Sequence, residues 1–268
     1  MSGKKQVGQN PFLPVSKADM ETRGWDWYDF LIINGDAYVD HPSFGGVVIA
    51  RTLEAEGYRV ALLPQPDWHS ADAFRAMGKP RLAVMLSSGN LDSMVAHYTA
   101  AKKRRRQDAY SPGHQTGLRP DRAVIVYANR VREAFSDIPL IIGGLEASLR
   151  RFAHYDYWSG QVRRAILFDA RADLLIYGMG EAATLEIAAQ LNAGVPVSDI
   201  TTVRGTSFAA REREACVYPW VEVPSYEEVK ADKMAYARAN QVEYEEHDPV
   251  RGKAILQKHG NRWLVTNP

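Results

Sequence analysis

Four segments of this 268-residue chain gather side chains able to do chemistry. Residues 35–46 (GDAYVDHPSFGG) bring Asp36, Asp40 and His41 close together. A carboxylate beside an imidazole is the usual way to tune a histidine for ligand contact or proton transfer. The same residues are also compatible with a helix start capped by Asp40 or Ser43, with His41 incidental. Residues 87–90 (SSGN) offer Ser87, Ser88 and Asn90 as hydrogen-bonding groups on a small-residue turn. Residues 143–164 (GGLEASLRRFAHYDYWSGQVRR) are the densest, with Gly143, Gly144, Glu146, Arg150, Arg151, His154 and Asp156 among aromatic rings. Arginine beside aromatic faces suits stacking and anion recognition, although an amphipathic helix with interface packing would use the same residues. Residues 177–181 (YGMGE) carry Gly178, Gly180 and Glu181. A carboxylate at a helix start suits the helix dipole but repels phosphate, so this turn reads as one that sets Glu181 at a crevice, not as a dinucleotide fingerprint.

These segments follow short apolar runs, and that placement gives them a common address. Residues 29–34 (DFLIIN), 59–63 (RVALL), 81–86 (RLAVML), 139–142 (PLII) and 173–177 (DLLIY) read as strands. Helical spacing appears over 44–56, closed by Gly57, over 121–135, and from 181 to about 192. Continuous apolar strands alternating with amphipathic helices predict an α/β fold, a doubly wound parallel sheet of about five strands, Rossmann-like, over residues 27–205. Ligands of such sheets bind beyond the carboxyl ends of the strands, where all four segments fall. Residues 1–26 read as a polar N-terminal arm. Residues 206–268 read as an extension, with a charged helix over 225–246 behind a Ser225/Glu228 capping box and a hairpin around 259–261.

Composition narrows the classes. With 33 basic and 32 acidic residues the net charge is +1, so no global field draws nucleic acid or anionic membrane. The run Lys102, Lys103, Arg104, Arg105, Arg106 lacks interleaved aromatics in sequence and reads as a solvated helix end, which sets nucleic-acid binding last among the functions considered. No apolar stretch approaches the roughly 20 residues of a transmembrane helix, and residues 1–24 lack the apolar core of a secretory signal. Cys216 is the single cysteine; it excludes an internal disulfide, suits a reducing cytoplasm, and cannot alone hold a metal cluster.

Taken together, the segments GDAYVDHPSFG (35–45), SSGNLDSM (87–94), HYTAAKKRRRQDAYSPGH (97–114), RPDRAVIVYANRVREAF (119–135), IIGGLEASLRRFAHYDYW (141–158), YGMGE (177–181), RGTSFA (204–209), PSYEEVKADKMAYARA (224–239) and WLVTNP (263–268) resemble the N-terminal region of YgiQ-type radical SAM proteins. The resemblance runs from about residue 11 to the last residue. It implies a cobalamin-binding-like α/β accessory domain ahead of a radical SAM barrel, in which a CxxxCxxC loop holds a 4Fe-4S cluster that cleaves S-adenosylmethionine. This sequence has no CxxxCxxC and ends where the family continues, so the expectation is a fragment or separately encoded subunit, inactive alone, whose partner is a radical SAM domain. The resemblance also raises cobalamin, but Asp40 and His41 are adjacent and Gly45 lies four positions past His41, which departs from the DxHxxG loop of base-off cobalamin domains. The expected role is to bind or position a substrate or cofactor for the barrel. The alternative is an interaction module that docks through 152–158 and 225–246.

Overall fold

The computed structural model describes residues 12–248 and 250–268; residues 1–11 of the N-terminal arm lie outside the described residues. Strands β1 (Phe30–Asn34), β2 (Val60–Pro64), β3 (Ala83–Ser87) and β4 (Leu140–Gly143) follow the apolar runs closely. A short hairpin, β5 (His154–Asp156) with β6 (Gln161–Arg163), stands apart as its own two-stranded sheet. Then come β7 (Leu174–Ile176), β8 (Thr206–Ala210), β9 (Trp220–Val223), β10 (Ala254–His259) and β11 (Arg262–Thr266).

Nine of these strands form one sheet in the order β2-β1-β3-β4-β7-β8-β11-β10-β9. The first five in that order are mutually parallel, so β1, β3, β4 and β7 end on one edge. β8 pairs antiparallel with β7, and the β10–β11 hairpin continues outward to β9. The sheet thus has nine strands where about five are expected. The difference lies in residues 206–268, whose four strands extend the same sheet; TSFAA and WVEV are short and half polar, so neither carries a clear period.

The helices cover both faces. α1 (Lys17–Thr22) packs Met20 inward, while Leu62 donates its N–H to Pro14 O, tying the chain ahead of α1 to the edge strand β2. α2 (Gly45–Ala55) and α8 (Glu181–Asn192) lie together on one face, over Ile32, Met85, Ile141 and Ile176. α3 (Asp72–Arg75), α4 (Ser93–His97), α5 (Ala123–Ala134), α6 (Gly144–Leu149) and α7 (Ile166–Asp169) complete the middle of the chain. α5 covers the opposite face, where Leu31, Ile33, Val84, Leu86 and Ile142 meet Tyr127 and Val131. Alternate residues of each central strand thus feed two separate cores, which is why these strands read as continuous apolar runs. The charged helix expected over 225–246 is broken at Asp232, whose carboxylate caps a second helix, so α9 (Tyr226–Ala231) and α10 (Lys233–Glu245) are distinct.

Candidate functional site

At the carboxyl ends of β1, β3, β4 and β7 a crevice of about 390 Å³ opens between the sheet and the first turns of α2 and α8. Its floor is apolar: Ile32, Met85 and Ile141 are register partners across three adjacent strands, and Ile176 lines it from β7, two residues past Leu174, the partner of Ile141. Its rim is backbone and small side chains, including Gly45, Gly46, Ser87, Asn90, Gly143, Gly144, Gly178, Gly180 and Glu181. Gly144 has φ +79°, and a Cβ there would stand 2.5 Å from Ser87 Oγ, so the close approach of two loops requires glycine. Neither α2 nor α8 is capped by its own N-cap side chain, although Asn90 Oδ1 accepts the Gly45 N–H at 3.4 Å, and both first turns border the crevice. Thr184, buried in the wall, has a hydroxyl with no hydrogen-bond partner. Among the described residues no lysine, arginine or histidine lines the space, and Glu181 is its one carboxylate. Such a site offers an apolar shelf, exposed backbone N–H groups and a few neutral polar contacts, without a counter-charge for polyphosphate.

The sequence-flagged residues divide sharply. Ser87, Asn90, Gly143, Gly144, Gly178, Gly180 and Glu181 face the crevice. Asp36 and Ser88 lie behind it and are fully buried. There Arg119, itself buried, donates from Nη1 to Asp36 Oδ1 (2.8 Å) and Ser88 O (2.9 Å), and from Nη2 to both oxygens of Asp108 (2.9 and 2.7 Å). Asp36 also accepts the Asn90 N–H at 2.7 Å. Burial pushes the Asp36 carboxyl up against the pull of Asn90 and Arg119, whereas the Tyr110 N–H and Arg119 outweigh burial at Asp108 and hold it down. This knot fixes the SSGN turn from beneath. Gly89, with φ +105°, is required because a Cβ would collide with the Asp36 carboxylate.

Asp40 is held by Arg51 and Tyr38 on the surface, and the Arg51 contact lowers its pKa. His41 is exposed, its Nδ1 accepting the Ser43 N–H at 3.1 Å. Glu146 is buried and accepts the N–H groups of Ser93 (2.9 Å) and Val124 (3.0 Å), joining the starts of α4 and α5; burial raises its pKa. Arg150 pairs with Asp92, and burial lowers its pKa. Arg151 donates to Ser148 O at 2.8 Å and lies over the rings of Phe152 and Tyr177. His154, its pKa lowered by burial, lines a separate void of about 10 Å³ with Arg122, Arg150 and Asp156, room for at most one water. None of these six residues lines the crevice.

Sequence reasoning missed Arg119, Asp108 and Thr184. A usable signal exists for Thr184: it interrupts the buried stripe Ala183, Ile187, Ala188, Leu191 of α8. None exists for Arg119, which meets Asp36 across 83 residues.

The donor set for metal is sparse. Among the described residues no group of three or more histidine, cysteine, aspartate or glutamate side chains could hold a metal ion. Cys216 is half-buried, its thiol pushed up by burial and directed at Tyr218 O. One thiol cannot supply the three thiolates of a 4Fe-4S cluster, so these residues do not fit that group.

Comparison with known proteins places the chain. The family profile described as "Radical SAM N-terminal" matches residues 12–268. The chain belongs to the radical SAM N-terminal family. Its relatives in that family include UPF0313 proteins of Clostridium botulinum (strain 657 / Type Ba4), 52% identical over 257 residues, and of Geobacter sulfurreducens, 51% identical over 257 residues. A UPF0313 protein of Clostridium perfringens (strain 13 / Type A) is 47% identical over 261 residues. Each alignment covers 96–97% of this chain but only 39–42% of the relative. The chain therefore spans about two fifths of the length of the curated relatives it matches. Among solved structures, the radical S-adenosylmethionine methyltransferase TsrM from Kitasatospora setae, with tryptophan substrate and a SAM analog bound, aligns with a TM-score of 0.44 and 18% identity, over 69% of this chain and 28% of that one. Among the described residues no helix is long and apolar enough to cross a membrane.

Proposed function

We propose that this region is the Rossmann-like accessory part of a radical SAM protein, and that its crevice binds a small ring-bearing ligand and holds it for a radical SAM domain in the same protein. The observation that carries the reading is the crevice itself. A volume of about 390 Å³ falls at the lower end of the range that holds small ligands. It sits where parallel α/β sheets bind them.

Its chemistry selects a class of ligand. The apolar floor suits a flat ring, and the uncapped turns at Gly46 and Ala182 suit carbonyl or hydroxyl oxygens as acceptors. Asn90, Ser43 and Glu181 can meet hydroxyl or amino groups. With Glu181 the one charge at the rim among the described residues, a neutral or cationic molecule is favoured over a polyphosphate. Cobalamin fits this only in part. Its side arm could enter the crevice, but His41 does not line it, so the chain supplies no imidazole there for a lower ligand.

A designed plug tests the reading. Gly45 borders the crevice and a Cβ there meets nothing within 4 Å, so Gly45→Phe is designed to obstruct its mouth without a clash at the helix start. Calorimetric titration with adenosine, ATP and hydroxocobalamin, the last also followed by its visible spectrum, should show binding of adenosine or hydroxocobalamin, weaker binding of ATP, and loss of both responses in Gly45→Phe. No response to any probe, or equal binding by the plugged variant, rejects the crevice as a site for this class.

The interaction-module reading has one observation in its favour. Val95, Leu145, Leu149 and Met179, at the strand-end side of the fold, are exposed by 50, 44, 61 and 89%. Exposed apolar residues of this kind suit docking of another domain. Docking beside the crevice is compatible with a ligand within it, so the two readings part only if the plugged variant leaves ligand binding intact.

A further inference from the structure

The basic run is not the helix end that its sequence suggests. Tyr98 and Arg104 form an isolated antiparallel bridge, with Thr99 N–H donating to Lys103 O and Arg105 N–H to His97 O, so residues 98–105 fold into a tight anchored loop. Below it, His97 and the Tyr98 hydroxyl each bond Asp121 at 2.7 Å. Lys102, Lys103, Arg104, Arg105 and Arg106 are all exposed, and none forms an ion pair among the described residues. Arg104 has the Asp121 carboxylate as an electrostatic neighbour, yet five exposed cations on one fixed loop leave a local excess of positive charge in a chain whose net charge is +1.

The fold also supplies the aromatic rings missing from the run itself. The tip of the β5–β6 hairpin lies against the loop: the Tyr157 hydroxyl donates to Ala100 O at 2.6 Å, and Lys102 Nζ to Trp158 O at 3.4 Å. Lys102 Nζ stands 4.7 Å from the Tyr157 ring centre, and Tyr98 and Trp158 pack at 5.3 Å. Tyr155 on β5 and Tyr157 in the turn that follows it remain 53% and 48% exposed. Half-exposed tyrosines are poorly used by a protein that needs only a solvated loop.

We propose that this surface binds single-stranded nucleic acid, with phosphates on Lys103, Arg104 and Arg106 and bases stacked on Tyr155 and Tyr157. Cations track the backbone, and aromatic faces take bases whatever their sequence. An acidic polypeptide would satisfy the cations but has no general use for the rings. A duplex would hide its base faces from them. The surface is separate from the crevice, so its failure would leave the ligand reading untouched.

The test is fluorescence anisotropy of a labelled single-stranded RNA of mixed sequence, titrated with the 268-residue chain over a series of salt concentrations. Binding should weaken with salt. In K103A/R104A/R106A the slope of log K against log salt should fall by about 2, since each phosphate on a single strand contributes about 0.7. Tyr157→Leu should weaken binding roughly fivefold or more, whereas Tyr157→Phe, which keeps the ring and loses only the Ala100 bond, should bind nearly as the parent does. No binding at low salt, equal displacement by polyglutamate, or a Tyr157→Leu protein that binds unchanged would each overturn the proposal.

Discussion

The crevice and the Arg119 knot lie on two sides of the same SSGN turn, and they are built from opposite materials. The knot is all charge: one guanidinium, two carboxylates and a carbonyl, all buried and joined by hydrogen bonds of 2.7–2.9 Å. The crevice is nearly without charge, walled by glycines, small hydroxyl side chains and isoleucine. Charged residues of the flagged segments, such as Asp36 and Glu146, therefore hold loops in this fold, whereas the glycine and serine turns line open space. A loop that must stay open to a ligand cannot be stiffened by packing on its open side, and the knot stiffens it from behind.

The largest effect should come from cutting the knot. Arg119→Leu leaves Asp36 and Asp108 buried without their counter-ion, and should lower the unfolding free energy by about 3–5 kcal/mol in urea denaturation. A loss below 1 kcal/mol would mean that the carboxylates do not depend on Arg119.

A second bracing carboxylate carries a pH signature. Asp156 is buried and pairs with Arg122 and Ser159; burial opposes these contacts, but they prevail and bring its pKa to about 2. Its folded pKa is depressed, so its stabilisation is present above the ordinary value near 3.8 and is lost as pH falls toward 2. Asp156→Asn should cost about 2 kcal/mol at neutral pH, and the gap between variant and parent should close in acid.

Glu243 on α10 supplies the opposite sign. Burial raises its pKa to about 7, only partly offset by Arg151, and no hydrogen bond braces it among the described residues. Its folded pKa is raised, so the protein is favoured below the ordinary value near 4.5 and loses that contribution as pH climbs through 7. Glu243→Gln should raise the melting temperature at pH 8 and change it little at pH 4.

The smallest effect belongs to the crevice wall. Thr184→Val removes a buried hydroxyl that bonds nothing in the folded chain, and should change stability by about 0.5 kcal/mol or less while weakening any ligand that uses the hydroxyl. A large loss of stability would show Thr184 to be part of the scaffold.

Much of this fold can be read from the chain because its central strands are buried on both faces, and 29–34, 81–86 and 139–142 consequently stand out as apolar runs. Strands β8 and β9 alternate weakly and escape notice. The crevice loops are legible for the same topological reason, since each must follow a strand end. The roles of individual side chains are not: Glu146 and Asp36 look like ligand residues because they are charged and near glycines, and only the tertiary placement of Val124 and Arg119 shows what they hold. Nor does a linear pattern reveal that Tyr157 is brought against Lys102 from 55 positions away.

The division between a charged scaffold and an uncharged site can be checked directly by methyl NMR on the isoleucine- and methionine-labelled chain with adenosine or hydroxocobalamin added. The account predicts shifts at Ile32, Ile49, Met85, Ile141 and Ile176, with Ile125, Ile166 and Ile255 unmoved, and loss of those shifts in Gly45→Phe. Shifts centred on Ile125 and Ile166, beside His154 and Arg150, would return the site to the charged segment and contradict it.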